Sequence, residues 1–183
     1  MTETKSKTKL ALPYIGIPVI ISVLLILRAG NTDAFLLLWY GLSVIFGYIA
    51  ALHDLKTQCI RNELVLAMLA VWVMTMTPKL FLDTEVAIRM LMYSALGFAV
   101  SGGLFFLVYL ISRKGLGGGD VKFIAAAGLY LGFAGIVPTI LYGTILAALV
   151  GVTLIALKKI NRKDKIPLAP FLYAGMLIVI FTR

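Results

Sequence analysis

Apolar residues run along this chain in long blocks separated by short polar or glycine-rich stretches, from residue 12 to residue 181. Blocks of about 20 apolar residues match the hydrocarbon thickness of a bilayer, because an α-helix rises about 1.5 Å per residue. Seven segments are expected on this basis: 12–28, 34–52, 63–82, 87–112, 120–132, 135–157 and 167–181. The expected fold is an all-α membrane protein, a polytopic bundle of about six to seven transmembrane helices. The weakest element is 120–132, a short run ending in a glycine-flanked turn near Gly132. It is either re-entrant or a short span, and a span is acceptable if protein surrounds its glycine-rich start.

Composition strengthens the membrane reading, since 61% of the residues are hydrophobic, more than a soluble domain of 183 residues hides. No Pro/Ser-rich or charged linker divides the chain, so residues 1–183 read as one integral membrane domain, with 1–11 a basic tail. Segment 12–28 follows Lys5, Lys7 and Lys9 as a signal sequence would. Its apolar stretch is long and no small-residue cleavage site clearly follows, so it reads as a retained anchor.

A net charge of +9 raises the question of nucleic acid, but the basic residues fall in short loops and at the chain start rather than on one soluble face. Membrane topology explains them better, and no nucleic-acid partner is expected. With a cytoplasmic amino terminus, thirteen basic residues lie inside: Lys5, Lys7, Lys9, Lys56, Arg61, Arg113, Lys114, Lys122, Lys158, Lys159, Arg162, Lys163 and Lys165. Only Arg28, Lys79, Arg89 and Arg183 lie outside, which is the positive-inside bias. This count also favours a crossing by 120–132, because otherwise the basic run 158–165 falls on the wrong side. That run would also attract anionic lipid head groups, the expected membrane partner. One cysteine, Cys59, and one histidine, His53, exclude an internal disulfide and the usual structural zinc sites, so no metal or cofactor is expected.

The chemistry concentrates in Gly117-Gly118-Gly119-Asp120, a flexible glycine run ending in a carboxylate that opens an apolar segment. An acid at the edge of hydrocarbon is costly and usually functional. Asp54 ends another apolar run, and the topology puts the loops carrying both acids on the cytoplasmic face. Two carboxylates held close in a partly dry site share a proton and titrate as a pair. One takes a proton from an attacking water while the other hydrogen-bonds the carbonyl oxygen under attack. The plainer reading of Asp120 is a first-turn or N-cap residue, and of Asp54 a solvated loop charge beside His53 and Lys56.

Gly117-Gly118-Gly119-Asp120-Val121-Lys122, with Phe123-Ile124-Ala125-Ala126 and Gly128 after it, resembles the G-x-G-D-x-K segment of type IV prepilin peptidases, which are intramembrane aspartyl proteases. Asp54, Ile60 and Asn62 match that family's first aspartate motif, an Asp followed six residues later by Ile-Pro-Asn, with Arg61 in place of the proline. Ile166-Pro167-Leu168-Ala169-Pro170-Phe171 is similar to a third segment, Ile-Pro-x-x-Pro-Phe. The resemblance covers about residues 40 to 175, with the motifs in the expected order.

It implies an endopeptidase with Asp54 and Asp120 as the catalytic pair, removing a short cytoplasmic leader from a pilin or pseudopilin precursor at the cell membrane. Gly117, Gly118, Gly119, Lys122, Asn62, Pro167 and Pro170 are expected to support the site. Asn62 reads as the cap of the third segment, Lys122 as a snorkelling lysine or a partner for a substrate acid, and the prolines as the entry to the last helix. Larger family members also methylate the new amino terminus and carry paired cysteines that this chain lacks, so methylation is not expected. Two other classes remain open: a small proton- or cation-coupled transporter using the two acids, and a noncatalytic assembly factor. The oligomeric state is left open. Small residues at Gly97 and Ser101, and at Gly143, Ala147 and Gly151, predict close helix contacts.

Overall fold

The computed structural model describes residues 33–112, 116–159, 161 and 166–182, and among these the secondary structure is entirely helical. Five helices follow one another: α1 (Ala34–Thr57), α2 (Asn62–Leu82), α3 (Thr84–Ile111), α4 (Gly118–Ala156) and α5 (Ala169–Thr182). The first four are long and apolar enough to cross a membrane, and α5 is a shorter apolar helix of 14 residues. These five helices occupy the places of six of the seven expected segments, since 120–132 and 135–157 join without a connecting loop. The expected anchor 12–28 lies outside the described residues.

The junction in α4 is Gly132, whose φ of 63° and ψ of 177° belong to a region that only glycine occupies without strain. There the chain reverses. The first leg, 118–131, runs antiparallel to α3: Ser101 Oγ donates to Ile124 O at 3.1 Å, and Gly97 lies against the backbone of Gly128. The second leg runs back beside α5, with Gly143 against Leu172 and Gly151 against Ile166. Glycine at these contacts lets backbones approach closely: a Cβ on Gly128 would fall 2.5 Å from Gly97 O, and one on Gly175 would fall 2.7 Å from Gly143 N. The contacts at Gly97, Ser101, Gly143 and Gly151 match the small-residue seams read from the sequence, and within α4 only Gly132 leaves helical geometry.

A first leg of 118–131 is about 21 Å long, less than the ~30 Å of a hydrocarbon core. It is tolerated because every residue from Phe123 to Leu131 is buried in protein. Gly132 also interrupts the regular bonding of the last turn, and Trp72 of α2 donates its indole N–H to Leu129 O at 3.2 Å there. The Tyr130 hydroxyl donates to Met68 O, a second tie between α2 and this leg. Tyr130 is fully buried beside Trp39 and Phe46 of α1, so the first leg of α4 forms the centre of the bundle.

Candidate active site

Four helix termini meet at one end of the bundle: the end of α1 and the starts of α2, α4 and α5. Asp54 lies in the last turn of α1 rather than in the loop expected after residue 52. The helix continues to Thr57 and stops at Gln58, whose φ of 50° is left-handed and whose N–H bonds back to Asp54 O. Being helical, Asp54 points into the bundle and is only 3% exposed. Its Oδ2 accepts a hydrogen bond of 2.9 Å from the backbone N–H of Ala169, the first residue of α5.

The third motif explains why that donor is free. The first N–H groups of a helix have no partner within it, and α5 is opened by Pro167-Leu168-Ala169-Pro170. The prolines have no N–H and preset an early helical turn, so the donors offered between them are those of Leu168 and Ala169, both of which interact with the Asp54 carboxyl. Pro167 and Pro170 flank these two donors at the entry to α5. The role of the Ala169 N–H was missed in the sequence, although an N–H flanked by prolines at a helix start was a usable signal.

Asp120 lies in the first turn of α4, whose N-cap is Gly117. The two acids interact electrostatically across the site, and the Gly117 backbone hydrogen-bonds the Asp120 carboxyl. Among the described residues the buried Asp120 Oδ1 accepts no hydrogen bond. An unpaired buried acceptor costs about 1–3 kcal/mol, more if charged, and such atoms concentrate where chemistry is done. The glycines before it differ in purpose. Gly119 is crossed by the chain at Ile60, so that a Cβ would fall 2.7 Å from Ile60 O. A Cβ on Gly117 would meet Asp120 Oδ2 at 2.8 Å, whereas Gly118 faces open space. Ile60, 3% exposed, ties the two aspartate segments together, a contact the sequence showed only as a motif position.

Asn62 corrects its expected role. Arg61, with φ −70° and ψ 137°, is the N-cap of α2 and caps with no side-chain bond, and Asn62 is already helical. Its Oδ1 instead accepts a 3.0 Å hydrogen bond from Lys122 Nζ, so the two expected supporting residues join α2 to α4. Arg61 pairs with Glu63 at the surface, and Cys59 is exposed.

A model of the type IV leader peptidase family matches residues 41–152, which include both aspartates. A prepilin leader peptidase/N-methyltransferase of Legionella pneumophila is 30% identical over 150 residues, 81% of this chain and 49% of that protein. One from Xanthomonas campestris pv. campestris is 26% identical over 78% of this chain and 50% of its own length. One from Bacillus subtilis is 30% identical over 47% of this chain and 35% of its own length. The chain spans about half the length of the curated relatives it matches. No solved structure matches it significantly.

Proposed function

The chain belongs to the type IV leader peptidase family, and on that premise we propose that it is an intramembrane aspartyl endopeptidase that removes the leader of pilin-like precursors with Asp54 and Asp120. The observation that carries the reading is the meeting of the two carboxyls at one end of the bundle, one held by the α5 N-terminus and the other offering an unpaired buried oxygen.

With one proton between them, the ionised carboxylate takes a proton from water as the water oxygen bonds to the scissile carbonyl carbon. The protonated partner donates to the carbonyl oxygen, giving a neutral tetrahedral diol. The C–N bond then breaks as a proton passes to the departing nitrogen, the diol becomes a carboxyl group, and the pair again shares one proton. By the positive-inside bias, this end of the bundle faces the cytoplasm of a cell membrane, where a leader preceding an apolar helix would lie. The proposal covers leader removal and not methylation.

The test is co-expression with a candidate precursor, with leader removal read by mass for wild type, Asp54→Asn and Asp120→Asn at matched membrane levels. Loss in both variants is expected. Continued cleavage by either one removes that acid from the mechanism.

A further inference from the structure

The end of α1 and the start of α2 enclose a pocket of about 250 Å³ lined by Ile49, His53, Arg61, Glu63 and Leu64, with neither aspartate of the pair in its wall. Ile49 and His53 stand one turn apart on α1 and share a face. Both helices are long and apolar enough to cross a membrane and both terminate here, so the pocket lies at the boundary between hydrocarbon and water. Arg61 is the residue that departs from the proline of the family motif, and the peptidase chemistry makes no use of it.

Three features bear on what the pocket takes. The first is an orphaned atom: among the described residues, the buried His53 Nδ1 has no hydrogen-bond partner. Buried polar atoms are normally paired, so the pocket calls for a partner that enters it. The second is a pair of opposite charges. Arg61 and Glu63 are 58% and 74% exposed and bond to each other, and one carboxylate occupies only part of a guanidinium's fork of donors. The third is the backbone, since α2 starts at Arg61 without a side-chain cap and its positive end adds to the arginine.

Charge and size then select the ligand. Arg61 and Glu63 cancel, which suits neither a simple anion nor a basic peptide, but does suit a molecule with a phosphate and an ammonium a few bonds apart. A pocket of this volume is smaller than the ~300–1,000 Å³ that encloses a drug-sized ligand, so it has room for a head group and not for acyl chains. Ile49, one turn deeper than His53, and Leu64 give it an apolar wall toward the hydrocarbon, which a water-soluble ester would leave unused. We propose that this pocket binds the aminoalkyl phosphate head group of a membrane phospholipid, with the phosphate on Arg61 and His53 and the ammonium on Glu63. The site stands independently of the peptidase reading.

The test places the full-length protein in bilayer discs of phosphatidylethanolamine and phosphatidylglycerol and reads the retained lipid by native mass spectrometry. Wild type is expected to keep one phosphatidylethanolamine in preference to phosphatidylglycerol, which has the phosphate but no ammonium, by about threefold or more, the modest factor of an exposed ion pair. Arg61→Ala is expected to weaken retention about tenfold, as loss of a charge-assisted hydrogen bond does, and Glu63→Ala to abolish the preference between the two lipids. Lys56→Ala, which removes an exposed cation from the same helix end but outside the pocket, is expected to match wild type. Because His53 is the only histidine of the chain, its nitrogen NMR signals need no assignment. The Nδ1 signal is expected to move when phosphatidylethanolamine is added to wild type and to stay in place in Arg61→Ala.

Equal retention of the two lipids by wild type, undiminished retention in Arg61→Ala, an equal loss in Lys56→Ala, or an unmoved His53 signal would each overturn the proposal. So would soluble phosphorylethanolamine binding as tightly as the lipid, which would assign the pocket to a free ester. If a variant shifts the detergent unfolding midpoint, the lipid preference and the His53 signal of wild type decide the matter without it.

Discussion

The first leg of α4 is buried on every side from Phe123 to Leu131, whereas the second leg hides one stripe, Gly135, Ile136, Thr139, Ile140, Gly143 and Gly151, and exposes Val137, Leu141, Ile145, Leu149 and Val152. Both legs are apolar helix in one continuous stretch of sequence, yet one is a core element and the other is wetted by lipid. Protein around the first leg makes two otherwise expensive features tolerable, a length below the bilayer thickness and a carboxylate in the first turn. The second leg has no such protection, and it carries no charge from Phe133 to Leu157.

The largest effect expected from breaking this contrast is chemical. Asp120→Asn at the head of the first leg should reduce leader removal by about 10³-fold or more, measured by mass at equal membrane abundance, and Asp54→Asn should do the same. Packing comes next. Gly128→Ala places a Cβ against the Gly97 backbone, which cannot move aside, and should cost about 1–3 kcal/mol in detergent unfolding. Its second-leg counterpart, Gly151→Ala, meets only the end of the Ile166 side chain at 3.1 Å and should stay within about 0.5 kcal/mol of wild type. At the junction, Gly132→Ala forces an L-residue to φ 63° and should also cost about 1–3 kcal/mol. A smaller loss than at Gly128 or Gly132, about 1 kcal/mol in the same unfolding assay, is expected from Trp72→Phe, which keeps an aromatic ring but removes the donor to Leu129 O.

Long apolar runs made α2 and α3 legible almost to the residue, since 63–82 and 87–112 became Asn62–Leu82 and Thr84–Ile111. What hydropathy did not carry was how helices end. Asp54 looked like a loop residue because His53, Asp54 and Lys56 are polar, but α1 runs on until Gln58 takes a left-handed conformation. Asn62 looked like a cap by residue type, yet Arg61 fills that place and Asn62 reaches across to Lys122. Gly132 was visible as a turn, but a reversal at a single residue depends on the packing of α3 and α5 against the two legs. The aspartates and prolines were visible as motifs. The Ala169 N–H on Asp54 and the Ile60 backbone over Gly119 are products of tertiary approach, and no single segment encodes them.

The most direct measurement of the central claim is a double-mutant cycle on leader removal with wild type, Asp54→Asn, Asp120→Asn and the double variant, all purified in lipid and given the same precursor. If the two carboxyls act as one proton-sharing unit, each single variant should lose about as much activity as the double. Partial losses in the singles that multiply in the double would contradict the dyad and assign the two acids independent roles.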